Sequence, residues 1–213
     1  MRNKTFETDE YEGLFVIVPR YEQGLYQYYE NYLLMCRNLL DRSLMVHETI
    51  TVYRIDLRFP ETAVYAHPKH YYEIFISLYR KYLREHGLDP QYLTRMEQKS
   101  SLNPHFHLAI AVKGMVEAFD LKETANTLWM NVFETPLDGL VDYCRYNRET
   151  GEQYPEEYVI TCPYYFLNNT TMLPQEYKDA FRLISYLAKY QPDDRIPSNE
   201  RKIFLSLGCR KLK

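Results

Sequence analysis

Two periods of apolar residues run through this chain, and the places where one gives way to the other mark its elements. Residues 22–45 carry apolar side chains at Leu25, Tyr29, Tyr32, Leu33, Cys36, Leu39 and Leu40, the three-and-four spacing of a helix. From Thr51 the period is two. Tyr53, Ile55, Leu57 and Phe59 take one side, and Arg54, Asp56 and Arg58 the other, which is a strand that Pro60 ends. A second helix is expected from Pro68 to His86, with Gly87 placed to terminate it. Two more strands, Gln91–Lys99 and His105–Val112, are joined by Ser100–Pro104, a connection short enough to make them an antiparallel hairpin.

Further along, Asp120-Leu-Lys-Glu123 has the spacing of a capping box and starts a helix through Trp129. Residues 139–167 read as a strand pair around a polar loop, Asn147–Pro155. A last helix begins at Pro174 and is stopped by Pro192. Near the start, Leu14–Val18 is a short apolar run closed by Pro19. The mixed order predicts an α+β fold: a central, mainly antiparallel sheet of about five strands, flanked by helices, with an N-terminal helix. Residues 1–48 are expected to form a helical extension packed on a core unit spanning 49–213.

Composition narrows the class. The chain has 213 residues, 46% of them hydrophobic and 26% charged, enough for a real core and unlike a disordered segment. The four cysteines, Cys36, Cys144, Cys162 and Cys209, form no CxxC pair, which argues against a zinc cluster or a disulfide framework. No signal-peptide pattern opens the chain and no apolar run nears the roughly 20 residues that span a bilayer, so a cytoplasmic protein without membrane contact is expected. The net charge of −3 gives no overall attraction to nucleic acid. Local basic groups exist at Arg80, Lys81 and Arg84, and at Arg201, Lys202, Arg210, Lys211 and Lys213. Tyrosine is the outlier, with 22 against 10 phenylalanines and one tryptophan. Its flat apolar face and polar tip suit half-wet surfaces and base stacking as well as cores.

Within the hairpin, His105 and His107 share one strand face, followed on it by Ala109 and Ala111, while Phe106, Leu108, Ile110 and Val112 take the other. Two imidazoles beside small methyl groups leave room for a divalent ion and a substrate. A carboxylate would complete a ligand set with open positions, and the hairpin brings Glu97 alongside. His67 and His70 are spaced like helical ligands, with no second cluster behind them. The last helix carries Tyr186-Leu-Ala-Lys189-Tyr190, so Tyr186, Lys189 and Tyr190 share a face, with Arg182 a turn earlier.

This ordered set resembles the HUH endonucleases, nicking enzymes that start rolling-circle replication. Their pattern is an upstream polar or acidic ligand, His-hydrophobic-His on a strand, and a downstream helix with Tyr-x-x-Lys or Tyr-x-x-x-Tyr. Here these are Glu97, His105-Phe-His107 and Tyr186-Leu-Ala-Lys-Tyr190. Met96-Glu-Gln-Lys-Ser-Ser-Leu-Asn-Pro-His-Phe-His-Leu108 is further similar to prophage proteins related to filamentous-phage replication initiators. The likeness covers residues 50–192. It implies a metal site of His105, His107 and Glu97 that polarises a scissile phosphate. The ion would be magnesium or manganese; the first prefers oxygen donors and the second accepts imidazole more readily.

The resemblance also implies that Tyr186 and Tyr190 are nucleophiles, leaving a 5′-phosphotyrosine and a free 3′-OH. A phenol of ordinary pKa about 10 needs activation by the ion and a cation such as Lys189. Arg182, Arg54 and Arg58 are candidates for DNA contact. The partners implied are single-stranded or hairpin origin DNA and, with no attached helicase segment, a host helicase and polymerase. Two other readings fit the same residues: a non-catalytic DNA-binding regulator on this fold, and a metal-dependent hydrolase of small phosphoesters.

Overall fold

The computed structural model describes residues 5–17, 27–134, 139–146, 151–192, 194–196 and 202–206. Four short strands come first: β1 (Thr5–Glu7), β2 (Glu10–Tyr11), β3 (Leu14–Phe15) and β4 (Gln27–Tyr29). Then follow α1 (Glu30–Val46), β5 (Thr49–Leu57), α2 (Pro68–Glu85), β6 (Gln91–Glu97), β7 (His105–Lys113) and α3 (Ala118–Val132). The chain continues through β8 (Val141–Asp142), β9 (Tyr158–Thr161), α4 (Gln175–Ser185) and β10 (Ile203–Ser206).

Six strands form one sheet, in the order β10, β6, β7 and β5, with β8 and β9 both on the outer edge of β5. Every pairing in it is antiparallel. The fold is α+β, with helices on both faces. Strand alternation divides the apolar side chains into two cores. Tyr53, Ile55, Leu57, Phe106, Leu108 and Ile110 pack under α2 and α3, around Phe75, Tyr79 and Trp129. Ile50, Val52, Leu93, Ala109 and Ala111 pack under α1 and α4. Several of the tyrosines belong to these cores, with their hydroxyls satisfied internally. Tyr53 donates to the Tyr79 oxygen at 2.7 Å, and Tyr79 donates to the Leu121 carbonyl at 2.8 Å.

Helix α2 starts at Pro68, whose missing N–H costs nothing at that position. It ends as Gly87 suggested. The Gly87 N–H reaches the Arg84 carbonyl and the Leu88 N–H the Leu83 carbonyl, with φ of 74° at the glycine, where a side chain would be strained.

Several expectations need correction. The first helix begins at Glu30, not near residue 22, because Gln27–Tyr29 pairs with Thr5–Glu7; the N-terminal region is therefore not a plain helical extension. Helix α3 begins at Ala118, and no side chain of its own caps it. Glu157, from a distant segment, accepts its first N–H at 3.0 Å, while Glu123 accepts the Tyr143 hydroxyl. The two strands of 139–167 do not pair with each other: β8 holds Asp56 and Leu57, and β9 holds Thr49–Val52. Tyr146 and Gln153 share a single bridge between them. Strand β10 was not anticipated.

Val18, Pro19, Leu25, Asn147, Arg201, Cys209, Arg210, Lys211 and Lys213 lie outside the described residues. Of the C-terminal basic residues, Lys202 is described and pairs with Asp194 at 2.9 Å. On α2, Lys81 faces Glu85 and Arg80 lies over the Tyr92 ring.

Ala109 and Ala111 also differ from expectation. They do not open space for a substrate; both are buried against the layer of α1 and α4, and their small size lets those helices approach the sheet. Ala109→Leu is expected to overpack this layer and cost about 1–3 kcal/mol, read as a lower midpoint in denaturant unfolding. An unchanged midpoint would mean the helices have slack above β7.

Candidate metal centre and tyrosine site

The β6–β7 hairpin sets Glu97 directly across from His105, and β5 sets Asp56 directly across from His107. His105 Nε2 lies 3.6 Å from Glu97 Oε1, and His107 Nε2 lies 3.8 Å from Glu97 Oε2. Donor atoms of all three residues fall within 4.8 Å of one another. Two donors bonded to one ion at about 2.0–2.2 Å stand about 3–4 Å apart, so small side-chain rotations bring these three onto a common ion.

The chemistry of the set fits a divalent metal. His107 is buried, and its Nε2 has no hydrogen-bond partner, since 3.8 Å is beyond hydrogen-bond reach. A buried nitrogen lone pair left unpaired is costly unless something else takes it. The other ring nitrogen explains why that lone pair is available. His107 Nδ1 lies 2.9 Å from Asp56 Oδ1, the geometry in which Nδ1–H donates to the carboxylate and Nε2 is left as a ligand. Asp56 is held in turn by Arg54, through Nε to Oδ1 at 3.1 Å and Nη2 to Oδ2 at 2.8 Å.

Burial alone would raise the pKa of Asp56 and of Glu97, yet both are held well below the ordinary carboxylate range. Arg54 and His107 overcome burial at Asp56; His105, His107 and Arg95 do so at Glu97. Burial likewise opposes charge on His107, but the facing Asp56 and Glu97 outweigh it and the pKa is raised above 6.5. At His105 burial wins and the pKa is lowered. Metal binding requires neutral imidazoles. The His107 proton is the one that persists above pH 6.5, and lowering the pH through its raised pKa sets that proton against the ion. Affinity for a divalent ion is therefore expected to fall as the pH is lowered through that raised pKa. Near neutral pH, calorimetry in buffers of different ionisation enthalpy should show proton release on binding. Binding without proton release in that window would contradict this assignment.

Tyr186 joins this group from the other side. Its ring meets the His107 ring edge-on, with centroids 5.1 Å apart. The Arg54 guanidinium carbon sits 4.0 Å from its centroid and Lys189 Nζ 5.5 Å, so two cations face one phenol ring. A cavity of ≈ 420 Å³ is lined by Arg54, Asp56, Arg58, His105, His107 and Tyr186, among others. Cys144, Tyr146 and Tyr154 wall it from the stretch between β8 and β9.

The expected Tyr-Lys-Tyr helix face is not what forms. Helix α4 stops at Ser185, a 3-10 turn covers Tyr186–Ala188, and Lys189 is extended, with φ −55° and ψ 128°. Tertiary partners take the groups a longer helix would have used. Arg95 donates to the carbonyls of Leu187 and Lys189, Tyr28 bridges to Lys189, and the Tyr190 N–H reaches the Gln27 carbonyl at 2.6 Å. Pro192, moreover, lacks the N–H that would close on Ala188. Tyr190 is consequently directed away from the cavity and packs edge-on against Tyr29 at 5.4 Å.

Among the three arginines, Arg54 is an internal brace, and Arg58 lines the cavity while pairing with Asp142 at 2.9 Å. Arg182 is forked onto Glu152, at 2.7 and 2.8 Å, and does not line the cavity. Sequence reasoning named Arg54 and Asp56 without placing them and overlooked Arg95. The signal was present in the strict alternation of β5, but it needed the β5–β7 register to become a site. Among the described residues no helix is long and apolar enough to cross a membrane. Comparison with protein-family models, curated proteins and solved structures found no match.

Proposed function

We propose that this protein is a metal-dependent single-strand DNA nicking and joining enzyme of the HUH type, working through a tyrosine at the start of rolling-circle replication. The observation that carries the reading is the contact of Tyr186 with His107, a tyrosine ring against the ligand group, inside one cavity. A carboxylate and two imidazoles alone would serve many hydrolases; the phenol beside them is what favours transesterification.

Glu97, His105 and His107 would hold a divalent ion, magnesium or manganese, which would supply charge neutralisation at the scissile phosphate. The chain's own residues do the rest. Asp56 keeps His107 in the ligating tautomer, and Arg54 fixes Asp56 while facing the Tyr186 ring. Arg54 and Lys189 place two cations beside the Tyr186 ring, where negative charge would develop. Tyr186 Oη bonds to phosphorus, the P–O3′ bond breaks, and the 3′-oxygen takes up a proton to leave a free 3′-OH and a 5′-phosphotyrosine. A polymerase of the host would extend that end, and a host helicase would unwind ahead of it.

The test is incubation of the protein and Mn²⁺ with labelled single-stranded and hairpin DNA, followed by a denaturing gel. A covalent protein–DNA band that EDTA prevents is the expected result. Binding without an adduct on any origin-like substrate points to a regulator. Hydrolysis of small phosphoesters that survives Tyr186→Phe points to a phosphoesterase. Either outcome overturns the proposal.

A further inference from the structure

Arg95 is a cation set into the sheet face where the metal centre meets the core. On β6 it shares a face with Leu93 and Glu97, and it stands directly across from His107, whose other neighbour across the sheet is Asp56. Leu93 belongs to the apolar layer under α1 and α4, so an apolar residue would suit the next position on this face. Arg95 is nevertheless 1% exposed. A charge buried to that degree is costly unless it is paired and hydrogen-bonded.

Its partners lie on separate pieces of chain. Nη2 stands 3.7 Å from Glu97 Oε2, an ion pair too long for a hydrogen bond. Nη1 donates to the Leu187 carbonyl at 3.0 Å and to the Lys189 carbonyl. The guanidinium carbon lies 5.8 Å from the centre of the Tyr29 ring and 6.0 Å from that of Tyr32. The two carbonyls belong to the first and third residues after Tyr186, at the point where α4 has ended. One side chain therefore joins the strand that bears Glu97 to the segment that carries the phenol. A planar guanidinium fork suits that task, whereas a lysine ammonium has donors without a fixed fork.

We infer that Arg95 is a positioning residue of the tyrosine site. It ties the carbonyls of Leu187 and Lys189 to the strand bearing Glu97, and so holds Tyr186 against His107. Arg95 does not line the cavity, so it acts through Tyr186 and Glu97 and not on a substrate. The inference rests on the proposed nicking function for what Tyr186 does, and adds what keeps it in place. Attack requires reacting atoms about 3–3.5 Å apart and aligned, and a misplacement of about 1 Å can cost about a hundredfold in rate.

Arg95→Lys keeps the charge and removes the fork. In the metal-free variant, hydrogen exchange at the amides of Lys189 and Tyr190 should quicken about tenfold or more, with exchange in β7 unchanged. At saturating Mn²⁺, single-turnover adduct formation should fall about a hundredfold while affinity for a labelled single-stranded oligonucleotide stays within about twofold. In the unaltered protein, Mn²⁺ should slow exchange at the same two amides, because opening that segment frees Arg95 beside Glu97. Adduct formation within about threefold in Arg95→Lys overturns the inference. A loss that more Mn²⁺ restores does so too, since it would place the whole effect on Glu97. A Mn²⁺ effect confined to β6 and β7 also overturns it, and that measurement decides even where Arg95→Lys does not fold. If the unaltered protein forms no adduct, the nicking function fails, and the exchange results alone then judge whether Arg95 holds the segment.

Discussion

Replacing His107 by alanine is expected to abolish any stabilisation that added manganese gives this protein. At an ion concentration a hundredfold above its dissociation constant, binding adds about 2.7 kcal/mol to folding, and that increment should disappear. The reason is the position of Nε2, buried without a hydrogen-bond partner and facing Glu97 at 3.8 Å. Without it, Glu97 and His105 are left as two ligands, with no fixed imidazole between them. Asp56→Asn is the informative companion. An amide still fills the place but can present its nitrogen to His107 Nδ1, which favours the wrong tautomer. Loss of such a supporting group weakens metal binding by about 10–100-fold. Thermal melts and calorimetry with Mn²⁺ measure both. A full manganese shift in His107→Ala would mean that the ion sits elsewhere.

The second large effect separates the two tyrosines. If the protein nicks DNA as proposed, Tyr186→Phe should remove the covalent adduct, a loss of at least about three orders of magnitude. Tyr190→Phe should leave first-round adduct formation within about threefold. The motif gives no ground for this asymmetry, since either tyrosine of a Tyr-x-x-x-Tyr helix presents the same face. It follows from the break after Ser185, which leaves Tyr186 against His107 and sends Tyr190 to Tyr29. Quantified adduct from the two single variants decides it. Adduct retained in Tyr186→Phe and lost in Tyr190→Phe would mean the segment rearranges on DNA binding.

What could be read from the sequence was local, and what could not depended on partners far along the chain. The alternation of β5, the histidine hairpin and the glycine end of α2 are properties of neighbouring residues, and each was legible. So was the triad, because a short hairpin leaves Glu97 little choice but to meet His105. The end of α4 was not legible. Its apolar spacing continues through Leu187, but Arg95 on β6 and Tyr28 on β4, roughly 90 and 160 positions away, take over the backbone there. The cap of α3 failed for the same reason: Glu157 reached it before its own Asp120 could. The Ala109–Ala111 face misled because small side chains can mean an opening or a close neighbour, and only the placement of α1 decides which.

The outer edge of β5 is shared by two short strands, leaving Tyr53, Arg54 and Ile55 without a strand partner on that side among the described residues. The stretch leaving the sheet at this gap supplies Cys144, Tyr146 and Tyr154 to the cavity. Its opposite wall, with His105 and His107, belongs to the fully paired β7. The two walls of the cavity are thus carried by separate pieces of chain. If the protein acts on DNA as proposed, substitutions in the first piece could redirect it to new target sequences without touching Glu97, His105 or His107.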